Sequence, residues 1–499
     1  MITIVTPIVP HDRVALTRLT TSARAQGADA VELRLDLCAQ SGAVCQDLLA
    51  GLQDLVLPVI ATCRHRDEGG AWEGSESERI DLLMAADQAG AAFIDIELAA
   101  IGHLPHKPQA GLIISYHDFT GMGTDVDARI AQMRSAGAAV AKIALTPGDS
   151  DDLATLQQLA QRHAGQGQLM VIGMGEVGLP SRLLAAAWGC SHTFARLDED
   201  DQGSAPGQPS IHDLIHTYGI RTHNADTLIF GVMGNPINHS LSPAIHNAAF
   251  IHEGINAVYV PFLVHDAQTF WQSCGAWIDG LSITIPHKHS LFHDTDYNED
   301  LAQAIGAINT LYRDQEGRLI GANTDAHAAL ECVRSLRGDL AHAHCLILGA
   351  GGVARAIAFA LCDSDARVSI ANRNPQRAQE LAEELGCQWC SLAEAANDHY
   401  DVIINGTSVG MREDSSPWPA EAHRDDQAIF DTVYTPLETR FLREAALAGA
   451  RCQNGLRMFI RQAAGQFERW LQRPAPEPIM QRAALQGLGA AALDTQPED

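Results

Sequence analysis

The stretch Ala138-Ala139-Val140-Ala141-Lys142-Ile143-Ala144-Leu145 is apolar throughout except for one lysine. Continuous apolar runs of this kind are typical of parallel strands that are buried on both faces. Because burying an ammonium group is costly, the segment favours the neutral, nucleophilic form of the Lys142 amine. A neutral amine can form a Schiff base with a carbonyl compound. The alternative interpretation is a structural lysine that is paired with a carboxylate.

Seven further short apolar runs accompany this segment in the first 221 residues, and they alternate with stretches of helix length. The eight predicted strands are residues 2–5, 30–35, 58–63, 92–97, 112–116, 140–145, 170–174 and 193–197. This rhythm predicts an α/β fold of the closed (β/α)8 TIM barrel type, with an open doubly wound sheet as the alternative.

Polar side chains recur at the carboxyl ends of these predicted strands, which is where barrel enzymes build their active sites. They are Glu32 and Arg34 in the second strand, Arg64 and Glu68 after the third, His117 after the fifth, Lys142 in the sixth, Arg182 after the seventh, and Ser204 and Gln208 after the eighth. Like-charge repulsion from the three arginines would further favour loss of the Lys142 proton, and guanidinium groups suit a planar carboxylate. We therefore expect a pocket for a small carboxylated ketone, captured as an iminium by Lys142, with His117 moving protons.

Six motifs of this half resemble type I 3-dehydroquinate dehydratase in order and spacing. They are ELR at 32–34, TCRHRDEGG at 62–70, SYHDF at 115–119, AKIA at 141–144, PSR at 180–182 and SAPGQ at 204–208. The resemblance implies that Lys142 forms the Schiff base, that His117 moves protons and that Glu68 orients His117. Substrate binding would fall to Glu32, Arg34, Arg64, Arg182, Ser204 and Gln208. Another Schiff-base lyase, such as an aldolase, is the alternative that the SAPGQ loop disfavours.

A glycine-rich turn marks the second half, which begins near residue 228. The segment Gly349-Ala350-Gly351-Gly352-Val353-Ala354 follows an apolar run and is a variant of G-x-G-x-x-G/A. Such a turn lets a pyrophosphate approach backbone amides at the positive end of a helix. The next predicted strand, 367–371, ends in Asn372-Arg373-Asn374 rather than in an acidic residue, and an arginine there favours the 2′-phosphate of NADP over NAD.

Two further groups of polar residues in this half indicate a substrate site. Ser240 and Ser242 stand beside a predicted helix start, where hydroxyls and free amides form a neutral cradle for a carboxylate. Lys288 and Asp325 follow separate predicted strands and are placed to form an acid/base pair facing the cofactor. A surface salt bridge is the alternative interpretation of that pair.

The motifs of the second half together resemble shikimate dehydrogenase. They are GNPINHSLSP at 234–243, TIPHK at 284–288, AINT at 307–310, NTD at 323–325, GAGG at 349–352, NGTSVGM at 405–411, DTVY at 431–434 and NGLRM at 454–458. The resemblance implies a Lys288/Asp325 dyad and carboxylate binding by Ser240 and Ser242. Thr284, Asn309, Asn323 and Gln462 would bind hydroxyls, and NADP would contact Gly349, Ala350, Gly351, Gly352, Val353, Asn372, Arg373 and Thr407. Ser282 stands where the family more often has asparagine.

Length and composition agree with a large enzyme that acts on small molecules. The 499 residues carry a formal net charge of −27, which argues against nucleic acid or an anionic membrane as a partner. No apolar run reaches the roughly 20 residues of a membrane span. The 11 cysteines are scattered and odd in number, so we expect reduced thiols and a cytoplasmic location. We expect no bound metal, and the sequence does not determine the oligomeric state.

The predicted domains are a barrel at 1–221, a linker at 222–227, a substrate-binding domain formed by 228–330 with 455–485, a Rossmann NADP domain at 331–454, and a flexible tail at 486–499. The two resemblances imply consecutive reactions of the shikimate pathway: dehydration of 3-dehydroquinate to 3-dehydroshikimate, then NADPH-dependent reduction to shikimate. Two alternatives stay open. One is a catabolic quinate/shikimate dehydrogenase that uses NAD, and the other is a non-catalytic metabolite sensor that keeps both folds.

Overall fold

A computed structural model describes residues 1–38, 42–198, 207–237 and 240–489 of the chain. The chain divides into two compact units. The first unit comprises residues 1–231 and 254–278, and the second comprises residues 232–253 and 279–499.

The first unit is built on eight parallel strands, as the sequence predicts. They are β1 (Thr3–Ile8), β2 (Ala30–Arg34), β3 (Val59–Thr62), β4 (Phe93–Glu97), β5 (Gly111–Asp118), β6 (Val140–Leu145), β7 (Gln168–Gly173) and β8 (His192–Phe194). Their order in the sheet is β7-β6-β5-β4-β3-β2-β1-β8. The barrel closes beside β8, where Ser191 donates its backbone N–H to the carbonyl of Leu169 in β7 at 2.8 Å. The (β/α)8 prediction is confirmed, and the open sheet is not found.

The C-terminal boundary of β5 determines how His117 is held. We predicted that His117 follows the fifth strand, and this is wrong, because β5 extends through Asp118. The extension is stabilised by pairing with β6, in which His117 lies opposite Ala144 and Asp118 opposite Leu145. His117 is therefore held by a sheet rather than by a loop.

Seven helices accompany these strands: α1 (Arg13–Gln26), α2 (Leu35–Cys38), α3 (Gly42–Leu49), α4 (Glu76–Gln88), α5 (Val126–Ser135), α6 (Ser150–His163) and α7 (Gly175–Leu183). Helix α7, which carries Arg182, approaches the end of β7 closely. A Cβ atom added to Gly173 would lie 2.6 Å from the Cα atom of Gly178. Two glycines thus permit the approach that brings Arg182 to the barrel.

The chain passes from the first unit to the second through β9 (Leu228–Gly234) and α8 (Ser242–His252), and it returns to the first for β10 (Ala257–Leu263) and α9 (Ala267–Cys274). Within the first unit, α9 packs against α6, and β10 packs against α7. Within the second unit, α8 packs against two helices at the end of the chain, α16 (Leu456–Leu471) and α17 (Glu477–Gly487).

The rest of the second unit contains two sheets. One includes β11 (Gly280–Ile283), β12 (Tyr297–Asn298), β13 (Thr310–Arg313) and β14 (Leu319–Ala322), with antiparallel pairs β11/β13 and β13/β14 and a parallel pair β12/β14. Helices α10 (Asp300–Ile305) and α11 (Asp325–Arg337) belong to this part of the chain. Helix α11 packs against α16.

The other sheet is parallel throughout, in the order β17-β16-β15-β18-β19-β20. Its strands are β15 (His344–Leu348), β16 (Arg367–Ala371), β17 (Gln388–Cys390), β18 (Val402–Asn405), β19 (Ala428–Asp431) and β20 (Arg451–Gln453). Its helices are α12 (Gly352–Cys362), α13 (Pro375–Leu385), α14 (Leu392–Ala395) and α15 (Arg440–Leu447). This is the doubly wound order in which a dinucleotide binds at the central switch point. The Rossmann prediction is confirmed.

In the described ranges, no helix combines the length and the apolar character that crossing a membrane would require.

Candidate active sites

Lys142 lies in the interior of the barrel and is almost fully buried. Its amine donates to Asp95 Oδ2 at 2.8 Å and lies 3.5 Å from Glu32 Oε1. The Phe194 ring covers it at 4.6 Å from the ring centroid. The amine therefore has the carboxylate partner of the alternative interpretation. Lys142 has a carboxylate partner because an unpaired buried charge would be far costlier.

Asp95 is shared between Lys142 and Arg64. Its Oδ1 atom lies 2.8 Å from an Arg64 Nη atom and accepts the Ser115 hydroxyl at 2.6 Å. Although burial alone would raise it, the Arg64 and Lys142 cations hold the pKa of Asp95 well below its ordinary value. Asp95 is therefore the counterion that lets two cations lie together in the barrel interior.

His117 and Glu68 form the second pair of this site. His117 Nδ1 lies 2.9 Å from Glu68 Oε2, and the same oxygen accepts the backbone N–H of His117 at 3.0 Å. Burial, followed by repulsion from Arg64 and Lys142, lowers the pKa of His117 well below its ordinary value. Burial raises the pKa of Glu68 to about 7. The carboxylate fixes one ring nitrogen, which leaves Nε2 as the nitrogen available for proton transfer.

The three predicted arginines have different environments. Arg34 forms a two-bond pair with Asp36 at 2.8 and 3.0 Å, and Arg64 is bound to acidic side chains as described above. Arg182 is also buried, but no acidic side chain in the described ranges pairs with it, and burial lowers its pKa to about 10. Gln208 is buried as well, whereas Ser204 lies outside the described residues. Arg182 is therefore the arginine that most needs an anionic ligand.

Several buried polar side chains that are linked to the predicted site residues were not predicted from the sequence. They are Asp95 and Glu97 in β4, Ser115 in β5 and Arg79 in α4. A usable signal was present, because β4 reads Phe-Ile-Asp-Ile-Glu and places two acids on one face of a buried strand. Two buried acids on one strand predict cationic partners inside the fold.

The second unit brings Lys288 and Asp325 together, with Lys288 Nζ 2.5 Å from Asp325 Oδ2. Asp325 is the first residue of α11, and its backbone N–H donates to the Asn323 side chain at 3.1 Å. The aliphatic part of Lys288 also constrains the glycine turn, since a Cβ atom added to Gly352 would lie 3.1 Å from Lys288 Cδ. The predicted dyad residues are thus in contact, and they lie beside the start of α12.

Three of the predicted hydroxyl-binding residues, Asn309, Asn323 and Thr284, are fixed by contacts of their own. The Asn309 side chain donates to Thr324 Oγ1 at 2.9 Å and accepts the Thr324 backbone N–H at 2.9 Å. Asn323 is held by Ala307 O at 3.1 Å. A Cβ atom added to Gly234 would lie 2.5 Å from Thr284 Cγ2, so the chain needs glycine there.

The serines predicted to bind the carboxylate lie at the start of α8. Ser242 is the first residue of α8, and its backbone N–H donates to Ser240 Oγ at 3.2 Å. Gln462 lies in α16 and donates to Phe459 O at 2.9 Å. Ser282, the residue that departs from the family pattern, donates to Gln466 Oε1 at 2.9 Å. Its hydroxyl is therefore engaged by α16, a contact that sequence did not predict.

The glycine turn has the shape that a dinucleotide requires. Gly349 has φ +116°, and a Cβ atom there would lie 2.9 Å from Thr407 Cγ2. A Cβ atom on Gly351 would meet no described atom within 4 Å, and Gly351 caps α12 without a side-chain hydrogen bond. Ala350 and Val353 flank these glycines. The space and the free helix start fit a pyrophosphate.

The residues after β16 match a phosphorylated ribose. Arg373 is exposed, and in the described part of the chain no acidic side chain is paired with it. Asn372 donates to Asn374 O at 3.0 Å, which shapes the turn. Of the residues described, no group of three or more His, Cys, Asp and Glu side chains could hold a metal ion.

Family profiles match both halves of the chain. That of type I 3-dehydroquinase matches residues 4–225. Those of the shikimate dehydrogenase substrate binding domain, shikimate/quinate 5-dehydrogenase and the shikimate 5′-dehydrogenase C-terminal domain match 232–311, 331–412 and 455–485.

Individual relatives agree with these profiles. A chloroplastic bifunctional 3-dehydroquinate dehydratase/shikimate dehydrogenase of Arabidopsis thaliana is 37 % identical over 92 % of this chain and 80 % of the relative. A shikimate dehydrogenase (NADP+) of Thermococcus kodakarensis is 40 % identical over 53 % of this chain and 98 % of its own. A crystal structure of a shikimate dehydrogenase in complex with NADP+ has 35 % identity and a TM-score of 0.51, and the match covers 53 % of this chain and 97 % of that one.

Arg182 and Arg64 are expected to affect stability in opposite directions. Arg182→Met removes a buried cation without an acidic partner and should stabilise the ligand-free protein by a few kcal/mol at most, on the order of 1–3. Arg64→Met breaks a buried ion-pair network and should destabilise it by about 3–5 kcal/mol. Thermal unfolding followed by circular dichroism measures both. A lower melting temperature for Arg182→Met would contradict the assignment of Arg182 as a buried cation that binds an anionic ligand.

Proposed function

The chain belongs to the bifunctional 3-dehydroquinate dehydratase/shikimate dehydrogenases, and from that membership we propose which of its side chains carry each reaction. One reaction dehydrates 3-dehydroquinate to 3-dehydroshikimate, and the other is the NADP-dependent reduction of this ketone to shikimate. The observation that carries the proposal is the buried Lys142 amine, paired with Asp95 in the barrel that also contains His117.

Dehydration proceeds through Lys142. The Lys142 amine, once it has released its proton, adds to the ketone carbon of 3-dehydroquinate, and the carbonyl oxygen leaves as water, which produces an iminium. The iminium acidifies the adjacent C–H bond, and His117 accepts that proton at Nε2, since Nδ1 faces Glu68. The released electron pair expels the ring hydroxyl, to which His117 returns the proton. Hydrolysis of the iminium then consumes one water, so the net reaction loses one.

Arg182 binds the substrate carboxylate in this proposal. It is the buried guanidinium that pairs with no acid in the described ranges, and a carboxylate would satisfy both its charge and its planar geometry. Ser204 and Gln208 are proposed to complete the site. Glu32, Arg34 and Arg64 stay predicted substrate contacts.

The reduction depends on Lys288 and Asp325. NADPH, when bound, supplies a hydride to the carbonyl carbon. The developing alkoxide takes a proton from the Lys288/Asp325 pair, whose 2.5 Å contact lets a proton pass between the two groups. Ser240 and Ser242 are proposed to bind the carboxylate of 3-dehydroshikimate. Thr284, Asn309, Asn323 and Gln462 are proposed to bind its hydroxyls.

Selectivity for NADP over NAD is proposed to rest on Asn372 and Arg373. The exposed Arg373 supplies a cation where NAD-selective folds carry an acid. Gly349, Ala350, Gly351, Gly352, Val353 and Thr407 are proposed to line the pyrophosphate site.

The two reactions are proposed to take place in separate parts of the chain. We place dehydration in residues 1–221 and reduction in residues 228–485, with 331–454 binding NADP and no metal taking part. All 11 cysteines are free thiols, which supports a reducing compartment such as the cytoplasm.

The assignment of Lys142 predicts a covalent adduct. When the protein is treated with 3-dehydroquinate and borohydride, hydride addition to the iminium carbon should leave a stable secondary amine on Lys142. Peptide mass spectrometry locates it, and Lys288, the lysine of the other site, serves as the control position. No adduct, or an adduct at another lysine, would remove Lys142 from the mechanism.

The dyad predicts a selective loss of one activity. Asp325→Asn keeps the shape of the side chain but removes the carboxylate that shares a proton with Lys288, so reduction should fall at least about 10²-fold. Dehydration, measured on the same preparation, should be unchanged and reports that the chain is folded. Reduction at the wild-type rate would exclude Asp325 from proton transfer.

A further inference from the structure

A chain of alternating charges runs from Lys142 to the outer helix α4. Lys142 contacts Asp95 at 2.8 Å, and Asp95 contacts Arg64 at 2.8 Å. Arg64 contacts Glu97 Oε1 at 3.1 Å, and the other oxygen, Oε2, contacts Arg79 at 2.6 Å. Each ion pair is buried, so solvent screens none of them strongly.

Arg79 anchors the outer end of this chain. Its side chain is 1 % exposed although it belongs to a helix outside the barrel. Besides Glu97, it donates to Cys63 O at 2.7 Å and makes two bonds to Glu76, at 2.7 and 2.8 Å. Glu76 is 29 % exposed, so this series of ion pairs reaches solvent only at Glu76. A buried arginine with this many fixed bonds holds Glu97 in one orientation.

With Lys142 protonated, the charges of the buried groups of this network balance only when Arg79 is counted. The buried cations are Lys142, Arg64 and Arg79, and the buried carboxylates are Glu32, Asp95 and Glu97. Without Arg79 the remaining groups carry one excess negative charge, which would bind the Lys142 proton more tightly. Arg79 is therefore placed to favour the neutral amine from outside the site.

We propose that Arg79 is a positioning residue for dehydration, which holds Glu97 and through it the Arg64–Asp95 pair that orients Lys142. It contacts neither substrate nor reacting atoms, and it acts through its charge and its fixed bonds. This inference rests on the proposed role of Lys142 as the Schiff-base lysine.

Other titratable groups face the same network. Besides Asp95 and Glu32, Lys142 is faced by Arg64 and His117, and Arg34 acts on His117 from β2. Arg79 is faced by Glu97, Glu76 and the Cys63 thiol, with His103 and His65 beside Glu76. Because removal of Arg79 would change the pKa of several of these groups at once, the measurement must report on Lys142 alone.

The experiment measures iminium capture on Lys142 as a function of pH. Full-length protein is incubated with 3-dehydroquinate and cyanoborohydride, and the rate of adduct formation on Lys142 is followed by mass spectrometry. In Arg79→Gln the pH of half-maximal capture should rise by roughly one unit, because loss of a buried positive charge leaves the network around Lys142 more negative. Shikimate dehydrogenase activity of the same sample should be unchanged.

Two variants separate charge from structural support. Arg79→Lys keeps the cation, so its midpoint should stay near that of wild type even if the protein melts earlier. Glu76→Gln is the matched control, because it alters the solvent-exposed end of the series of ion pairs and should leave the midpoint unchanged. An unchanged midpoint in Arg79→Gln, or an equal shift in Arg79→Lys, overturns the proposal.

A third variant covers a failure of Arg79→Gln to fold. Glu97→Gln removes a negative charge from the same network, so its midpoint should move down, and a midpoint that stays or rises overturns the proposal. Absence of a Lys142 adduct in wild-type protein would instead refute the Schiff-base assignment itself. If wild-type protein forms the adduct but the variants leave the pH midpoint unchanged, only the proposed role of Arg79 is refuted.

Discussion

The contact between Lys142 and Asp95 is the constraint on which the barrel site depends. A lysine and an arginine cannot share a buried space unless a carboxylate lies between them, and Asp95 contacts both, at 2.8 Å each. Asp95 lies in β4, next to β5 and two strands from β6, so the order of the parallel strands in the barrel determines which side chains it meets. Fold and chemistry are therefore coupled, since the barrel is what brings these three charges together.

The second unit holds its lysine–aspartate pair in different surroundings. Lys288 and Asp325 also form a close pair, but their surroundings are set by a helix start and a glycine turn rather than by a network of further charges. Asn323 fixes the backbone at Asp325, and Gly352 leaves room for the aliphatic part of Lys288. A pair beside open space suits a reaction in which a cofactor and a substrate must both enter.

Much of this could be predicted from the sequence. The eight barrel strands follow from apolar runs, and the glycine turn after 344–348 fixes the parallel Rossmann sheet, because each signal is local. Side-chain pairing was not predictable in the same way. Asp95 meets Lys142 across 47 positions of sequence and Ser282 meets Gln466 across 184, so these contacts depend on the finished fold. Asp95 and Glu97 of β4 were not predicted as partners of the site residues for this reason.

The Asp95→Asn variant tests the central claim most directly. Asparagine keeps the size of the side chain but cannot neutralise Lys142 and Arg64, so the turnover number for dehydration of 3-dehydroquinate should fall at least about 10²-fold through misplacement of the amine. Shikimate dehydrogenase activity of the same protein should be retained. Dehydration within a few-fold of wild type, in a folded variant, would contradict the view that Asp95 organises the site.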